Sequence, residues 1–168
     1  MEDARNEVIE VETSVGANAD AVYRAVADVT RMGEWSPECR GGRWVGGATT
    51  AVPGARFRGD NRNGVWRWST SCTIVTADPG RELSWEVRFL GRPVALWRYR
   101  FAPDATGATG ATTATTVTET MEDRRGLVFK VFGPLASGVG DRQAHNRRTM
   151  EVTLARLKSA VEDRADAI

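Results

Sequence analysis

From Glu38 to Met121 the chain alternates in side-chain character at every second residue, and turn-forming strings interrupt it: GGRWVGG, VPG, DNRNG, DPG, LGR and the Gly-Ala-Thr run over 106–113. A period of two belongs to strands with two unlike faces, and Gly, Pro, Asn and Asp between such runs mark where the chain reverses. The region therefore reads as six consecutive strands near residues 38–45, 55–61, 65–77, 81–90, 93–102 and 112–122. The connections are too short to hold crossover helices, so neighbouring strands pair antiparallel as a meander. The second half of TGATGATTATTVTET, rich in β-branched Thr, joins the last strand, and its first half is a loop.

The flanks follow other periods. Val8 to Val15 alternates, with Ile9, Val11 and Thr13 on one side and Glu10 and Glu12 on the other, which makes a further strand. Asn18 then caps a helix whose Val22, Ala25, Val26 and Val29 recur at helical spacing; it is expected to end near Thr30. TRMGEWSP adds one or two short turns before Pro37, whose ring extends the chain at Ser36. Beyond Arg125, Leu127, Val128, Val131 and Phe132 form a short apolar stripe stopped by Gly133-Pro134, and a long helix is expected from about Gly140 to Asp163. At 100° per residue, Val139, Gln143, Asn146, Met150, Leu154, Leu157 and Val161 share one inward line, polar in its first half and apolar in its second. His145 lies about 140° from that line and is assigned to the surface.

The order strand, two short helices, six strands, long helix fits an α+β domain in which an antiparallel sheet of about seven strands curls around the last helix. With 168 residues, 41% of them hydrophobic, the chain can build one real core, so residues 1–168 read as a single domain with a core over about 6–163. Lys plus Arg (23) nearly balances Asp plus Glu (22), leaving +1 overall and no field that would hold nucleic acid. No apolar run is long enough for integral membrane association, and the acidic start MEDARNEVIEVE is unlike a secretory signal, so a soluble cytoplasmic protein is expected. Cys39 and Cys72 are far apart in sequence and read as free, small buried hydrophobes. No zincin, nucleophile-elbow or phosphate-loop string occurs, and no cluster of His, Cys and carboxylates suggests a metal; no cofactor is expected.

Three strings carry a family likeness: AxADAVYRAVADV at residues 17–29, MGEWSPE at residues 32–38 and RRTMEVTLARLK at residues 147–158. With the strand order, they make the chain resemble the START-like SRPBCC superfamily, especially its polyketide cyclase/dehydrase branch. The resemblance implies the helix-grip fold and a function among ligand carriers, aromatase/cyclases, hydrolases and co-chaperone-like proteins. It also places Trp35, in the second short helix, at the border of the cavity entrance, as a gate or as a staple of that helix onto the sheet.

A sheet that wraps a helix encloses a concave, mostly apolar space, the usual ligand site. Parity identifies its lining: Trp66, Trp68, Thr70, Cys72 and Ile74 on one strand; Leu83, Trp85, Val87 and Phe89 on the next; Ala95, Trp97, Tyr99 and Phe101 on the third. Four of the six Trp thus converge with Tyr99 on one surface. The opposite face, with Arg67, Arg88, Arg98 and Arg100 alternating with acids, reads as an ordinary solvated face. If Val117 faces inward so does Glu119, and a carboxyl in that space is either paired or held protonated, as a general acid or base requires. Gln143 and Asn146 are expected to hydrogen-bond ligand oxygens from the helix. Two functions follow. The first is binding of an apolar, aromatic or polycyclic small molecule by a carrier or sensor. The second is a cofactor-free polyketide aromatase/cyclase or dehydratase using Glu119. One carboxylate and two amides are few groups for catalysis, which favours binding.

Overall fold

Every alternating stretch becomes a strand. In the computed structural model, which describes residues 7–104, 114–125 and 142–165, the strands are β1 (Val8–Val15), β2 (Cys39–Val45), β3 (Arg56–Asn63), β4 (Trp66–Asp78), β5 (Glu82–Phe89), β6 (Arg92–Pro103) and β7 (Thr115–Asp123). They form one antiparallel seven-stranded sheet in the order β1-β7-β6-β5-β4-β3-β2. β2 to β7 are the expected meander, and β1 adds to its far side by pairing with β7, Val11 opposite Glu119. On β7 burial alternates without exception, with Thr115, Val117, Glu119, Met121 and Asp123 all inward.

Helix α1 spans Ala19–Ala27, and the Asn18 side chain accepts from the Ala21 N–H at 2.8 Å, the expected cap. It stops before Thr30 because Asp28 leaves the helical conformation and its carboxylate accepts from the Thr30 N–H. That contact opens a 3-10 turn, Val29–Arg31, which leads into the four-residue α2, Met32–Trp35. α2 lies backbone to backbone on β2: a Cβ at Gly33 would stand 2.3 Å from the Arg40 carbonyl oxygen, so only glycine allows the approach.

The long helix, α3, spans Arg142–Ala165. It packs along β1 and against α1 and α2, so it bridges the two ends of the curved sheet. Near its C-terminal end the Glu162 carboxylate accepts from the Gly16 N–H at 2.6 Å, which ties it to the β1–α1 junction. The expected loop at 106–113, the apolar stripe Leu127, Val128, Val131 and Phe132, Val139, and a helix start at Gly140 lie outside the described residues.

The second half of α3 supplies Leu154, Leu157 and Val161 to a core completed by Val15, Val22 and Val26 from the β1–α1 region and Leu83 from β5. Each such fully buried aliphatic side chain contributes about 1.5–3 kcal/mol over leaving it in water. Under the first half of α3 the interior is not filled.

Candidate ligand cavity

The unfilled space is a cavity of about 370 Å³ between the inner face of the sheet and α3, within the usual range of small-molecule sites. Its floor is aromatic: Phe57 packs edge-on to Trp85, and Trp85 stacks on Tyr99 with ring centroids 5.6 Å apart. Trp97 and Trp68 continue that wall towards the open end, and Trp35 closes the side formed by α2. Antiparallel pairing accounts for the convergence, since Trp85 is the direct partner of Trp97 and Tyr99 of Glu119 across neighbouring strands.

Glu119 is the chemical centre of the floor. It is 2% exposed, and the Tyr99 hydroxyl donates to its Oε1 at 2.5 Å. Its other oxygen, Oε2, is sealed from solvent and has no hydrogen-bond partner among the described residues. Burial pushes the Glu119 carboxyl up to about 8, against a smaller opposing effect of the Tyr99 hydrogen bond. Burial, with the adjacent carboxyl, also raises the Tyr99 hydroxyl well above its ordinary value. At neutral pH the pair is therefore uncharged. Because Oε1 already accepts from Tyr99, the carboxyl proton belongs on Oε2, which is covered by its neighbours and meets a cavity occupant only if the side chain shifts.

Polar pairs mark the lining nearer the solvent. Asp123, one inward step from Met121, is gripped by Arg125 through Nε and Nη2, the latter at 2.7 Å from Oδ2. Across the cavity Glu38 meets His145, Nε2 to Oε2 at 2.6 Å. Asn146 is 7% exposed, and its carboxamide reaches the cavity with no hydrogen-bond partner among the described residues. Cys39 and Cys72 are unpaired thiols in the same lining; burial raises both, Cys72 to about 12. No group of three or more metal-ligating side chains is present among the described residues.

Trp35, Trp68, Trp85, Trp97, Tyr99, Glu119 and Asn146 thus border one space, whereas three sequence expectations are corrected. Trp66 has the right parity but is 46% exposed and outside the cavity. The pairing of β4 with β5 begins only at Ser71 opposite Arg88, so Trp66 stands on a two-stranded ribbon beyond the cavity wall. Gln143 is exposed and outside the described cavity lining; helical angle determines a face but not how far the facing layer extends. His145 is not a freely exposed residue: its side chain is 21% exposed and turned to Glu38, since α2 and the bend that follows it meet the flank of α3 that the inward line leaves out.

Sequence reasoning missed Glu38, Asp123 and Arg125 as wall residues. Asp123 was within reach, since counting by twos from Glu119 passes through it, but the expected strand ended at 122. The expected strand begins at Glu38, but this residue stands in the bend after Pro37, one residue before β2 begins, where parity does not set the direction of a side chain.

A model of the family described as polyketide cyclase / dehydrase and lipid transport matches residues 7–162. The chain belongs to this family. No curated protein sequence matches it. Among solved structures, the Zhui aromatase/cyclase from Streptomyces sp. R1128 is 17% identical, with a TM-score of 0.66 over 95% of each chain. The Polyketide_cyc-like protein Cgl2372 from Corynebacterium glutamicum is 25% identical, with a TM-score of 0.57 over 98% of this chain and 97% of that one. The di-domain ARO/CYC BexL from the BE-7585A biosynthetic pathway is 21% identical, with a TM-score of 0.62; 93% of this chain covers 46% of it. The family membership and these neighbours agree with the helix-grip architecture, and among the described residues no helix is long and apolar enough to cross a membrane.

Proposed function

We propose that this member of the polyketide cyclase/dehydrase and lipid transport family binds an apolar, aromatic or polycyclic small molecule in its cavity, as a carrier or sensor. The carrying observation is the stacked aromatic floor bordering a cavity of about 370 Å³, with one buried carboxyl, Glu119, in its lining. Flat rings are taken up by stacking and edge contacts with Trp85, Trp97, Trp68 and Tyr99, worth about 0.5–1.5 kcal/mol per pair beyond area. A small rotation of the Glu119 carboxyl brings its proton to a carbonyl or ether oxygen on the ligand, and Asn146 meets a second polar group nearer the opening. Trp35 forms the α2 side of the site. The test is titration with the neutral probe N-phenyl-naphthylamine. One-to-one binding with quenching of Trp emission is expected, and no quenching at saturating probe defeats the reading.

A second reading rests on the placement of one carboxyl, Glu119, buried in the cavity lining beside the Tyr99 hydroxyl, where burial raises it to about 8. A group near neutrality can give or take a proton, so Glu119 would serve as the acid or base of an aromatase/cyclase or dehydratase, with Tyr99 positioning it.

A further inference from the structure

The β3–β4 and β5–β6 turns lie at the same end of the sheet as the cavity opening, and both present apolar side chains to solvent. Val65 is 89% exposed, Trp66 46% and Leu90 79%, and Leu90 sits in the left-handed region at φ +49°, unfavourable for a branched residue. Folding gains little from Val65 or Leu90, and Trp66 keeps almost half of its surface in water. Below the longer tip, Arg62 and Arg67 are direct cross-strand partners, an arrangement in which like charges repel. The Arg62 Nε donates to the Gly64 carbonyl oxygen at 2.9 Å, which holds its guanidinium against the tip. With Arg40 they surround a shallow hollow on the outer side of the sheet, and Asp60, the acid in its described lining, is engaged by Ser69 at 2.6 Å and by Arg58. Further along that face Arg88 meets Glu86, Arg98 meets Glu82 and Arg100 meets Glu10, while Arg43 and Arg56, away from the tips on β2 and β3, also lack an acid among the described residues. Arg40, Arg62 and Arg67 have no acid within 4.0 Å among the described residues.

We infer that this end of the molecule docks on the surface of an anionic lipid bilayer, with Val65, Trp66 and Leu90 entering the headgroup layer and Arg40, Arg62 and Arg67 meeting lipid phosphates. An overall charge of +1 does not register this local group of three arginines beside the apolar tip. Narrow tips that project singly suit a fluid layer, which closes around them, better than a protein partner, which would need matching holes. A Trp beside arginines is the side-chain pair favoured at a membrane interface. The docked orientation turns the cavity opening towards the lipid, so an apolar ligand could pass between bilayer and cavity without crossing bulk water. The docking surface stands on residues outside the cavity wall, Leu90 excepted, and does not depend on which ligand the cavity takes.

Sedimentation of the full chain with vesicles tests it, comparing phosphatidylcholine alone with phosphatidylcholine containing phosphatidylglycerol at low salt. Pelleting with the anionic vesicles only, reversed by added salt, is expected. Val65→Ser combined with Trp66→Ser should weaken binding at least tenfold. Arg62→Gln and Arg67→Gln should each weaken it about fivefold, the usual effect of one basic side chain near an anionic surface. Circular dichroism and N-phenyl-naphthylamine binding should be unchanged in all of them, which separates failure of docking from failure of the cavity reading. The proposal is overturned if the wild type stays in the supernatant or if the Val65/Trp66 variant binds like wild type. It is overturned equally if glycerol phosphate at the same phosphate concentration releases the protein, which would make the arginine hollow a site for a free phosphate ester. Light scattering that finds a dimer in the wild type and a monomer in the Val65/Trp66 variant would assign the surface to a second copy instead.

Discussion

At the scale of the single residue, Glu119 decides most of the chemistry. Its carboxyl is held up to about 8 in the folded chain, against an ordinary value near 4.5, because burial disfavours the charge. Below about 4.5 both folded and unfolded chains hold the proton, and there is no penalty. Between about 4.5 and 8 the unfolded chain releases the proton while the folded chain keeps it, so stability falls with rising pH by roughly 1 kcal/mol per unit; above 8 the full penalty is present. Glu119→Gln removes that slope. Thermal denaturation should therefore show the variant gaining on wild type from pH 5 to pH 8, and parallel curves would mean that the carboxyl is not protonated in the fold. The same substitution separates carrier from enzyme: a carrier keeps its probe, whereas an enzyme relying on Glu119 binds but loses roughly 10²–10⁴-fold in rate. Cys72 supports the picture of a sealed floor. With its thiol raised to about 12 by burial, it should resist thiol reagents at pH 8 in the native state and react at once on unfolding.

At the scale of elements, the positions most sensitive to change are contacts between backbone segments. Gly33→Ala would push a methyl group towards the Arg40 carbonyl oxygen, now 2.3 Å from where the Cβ would stand, and lift α2 off β2 together with Trp35. A loss of about 1–3 kcal/mol in urea unfolding is expected, with weaker probe binding because one cavity wall moves; an unchanged midpoint would show that α2 yields without cost. The Glu38–His145 contact joins the beginning of β2 to α3, and losing it in His145→Ala should shorten the residence time of the probe in stopped-flow dilution. The strands themselves were legible in the sequence because each alternates and each ends at a Gly, Pro or Asn-rich turn. Parity also placed Glu119, Trp85, Trp97 and Tyr99 on the inner face without knowledge of the register. What alternation could not convey was extent. Trp66 and Gln143 have the right phase on β4 and α3, yet both are exposed and outside the described lining, and for Trp66 the reason is that β5 pairs with β4 only from Ser71 onward. His145 shows the complementary failure: a helix with an inward line also has flanks, and α2 covers one of them.

At the scale of the whole molecule, α3 divides the interior in two. Its second half closes the core through Leu154, Leu157 and Val161, while its first half, with Asn146, Thr149, Met150 and Thr153, roofs the cavity. The division follows from the mixed inward line of the helix, and it allows the cavity to be altered without touching what holds the fold. Thr153 is 6% exposed and its hydroxyl donates only to the Thr149 carbonyl oxygen of its own helix, at 2.7 Å. Losing that hydroxyl costs little, since such back-bonds slightly destabilise helices. In Thr153→Phe the ring would enter the cavity of about 370 Å³, where added apolar bulk meets space instead of packed side chains, so the usual overpacking cost is avoided. The melting temperature should therefore stay within a few degrees of wild type, while probe affinity falls at least tenfold. Vesicle binding should be untouched, because Val65, Trp66 and the three arginines lie outside the cavity. A Thr153→Phe protein that still binds the probe one-to-one with wild-type quenching would show that the probe sits elsewhere, and the ligand site would have to be sought away from the aromatic floor.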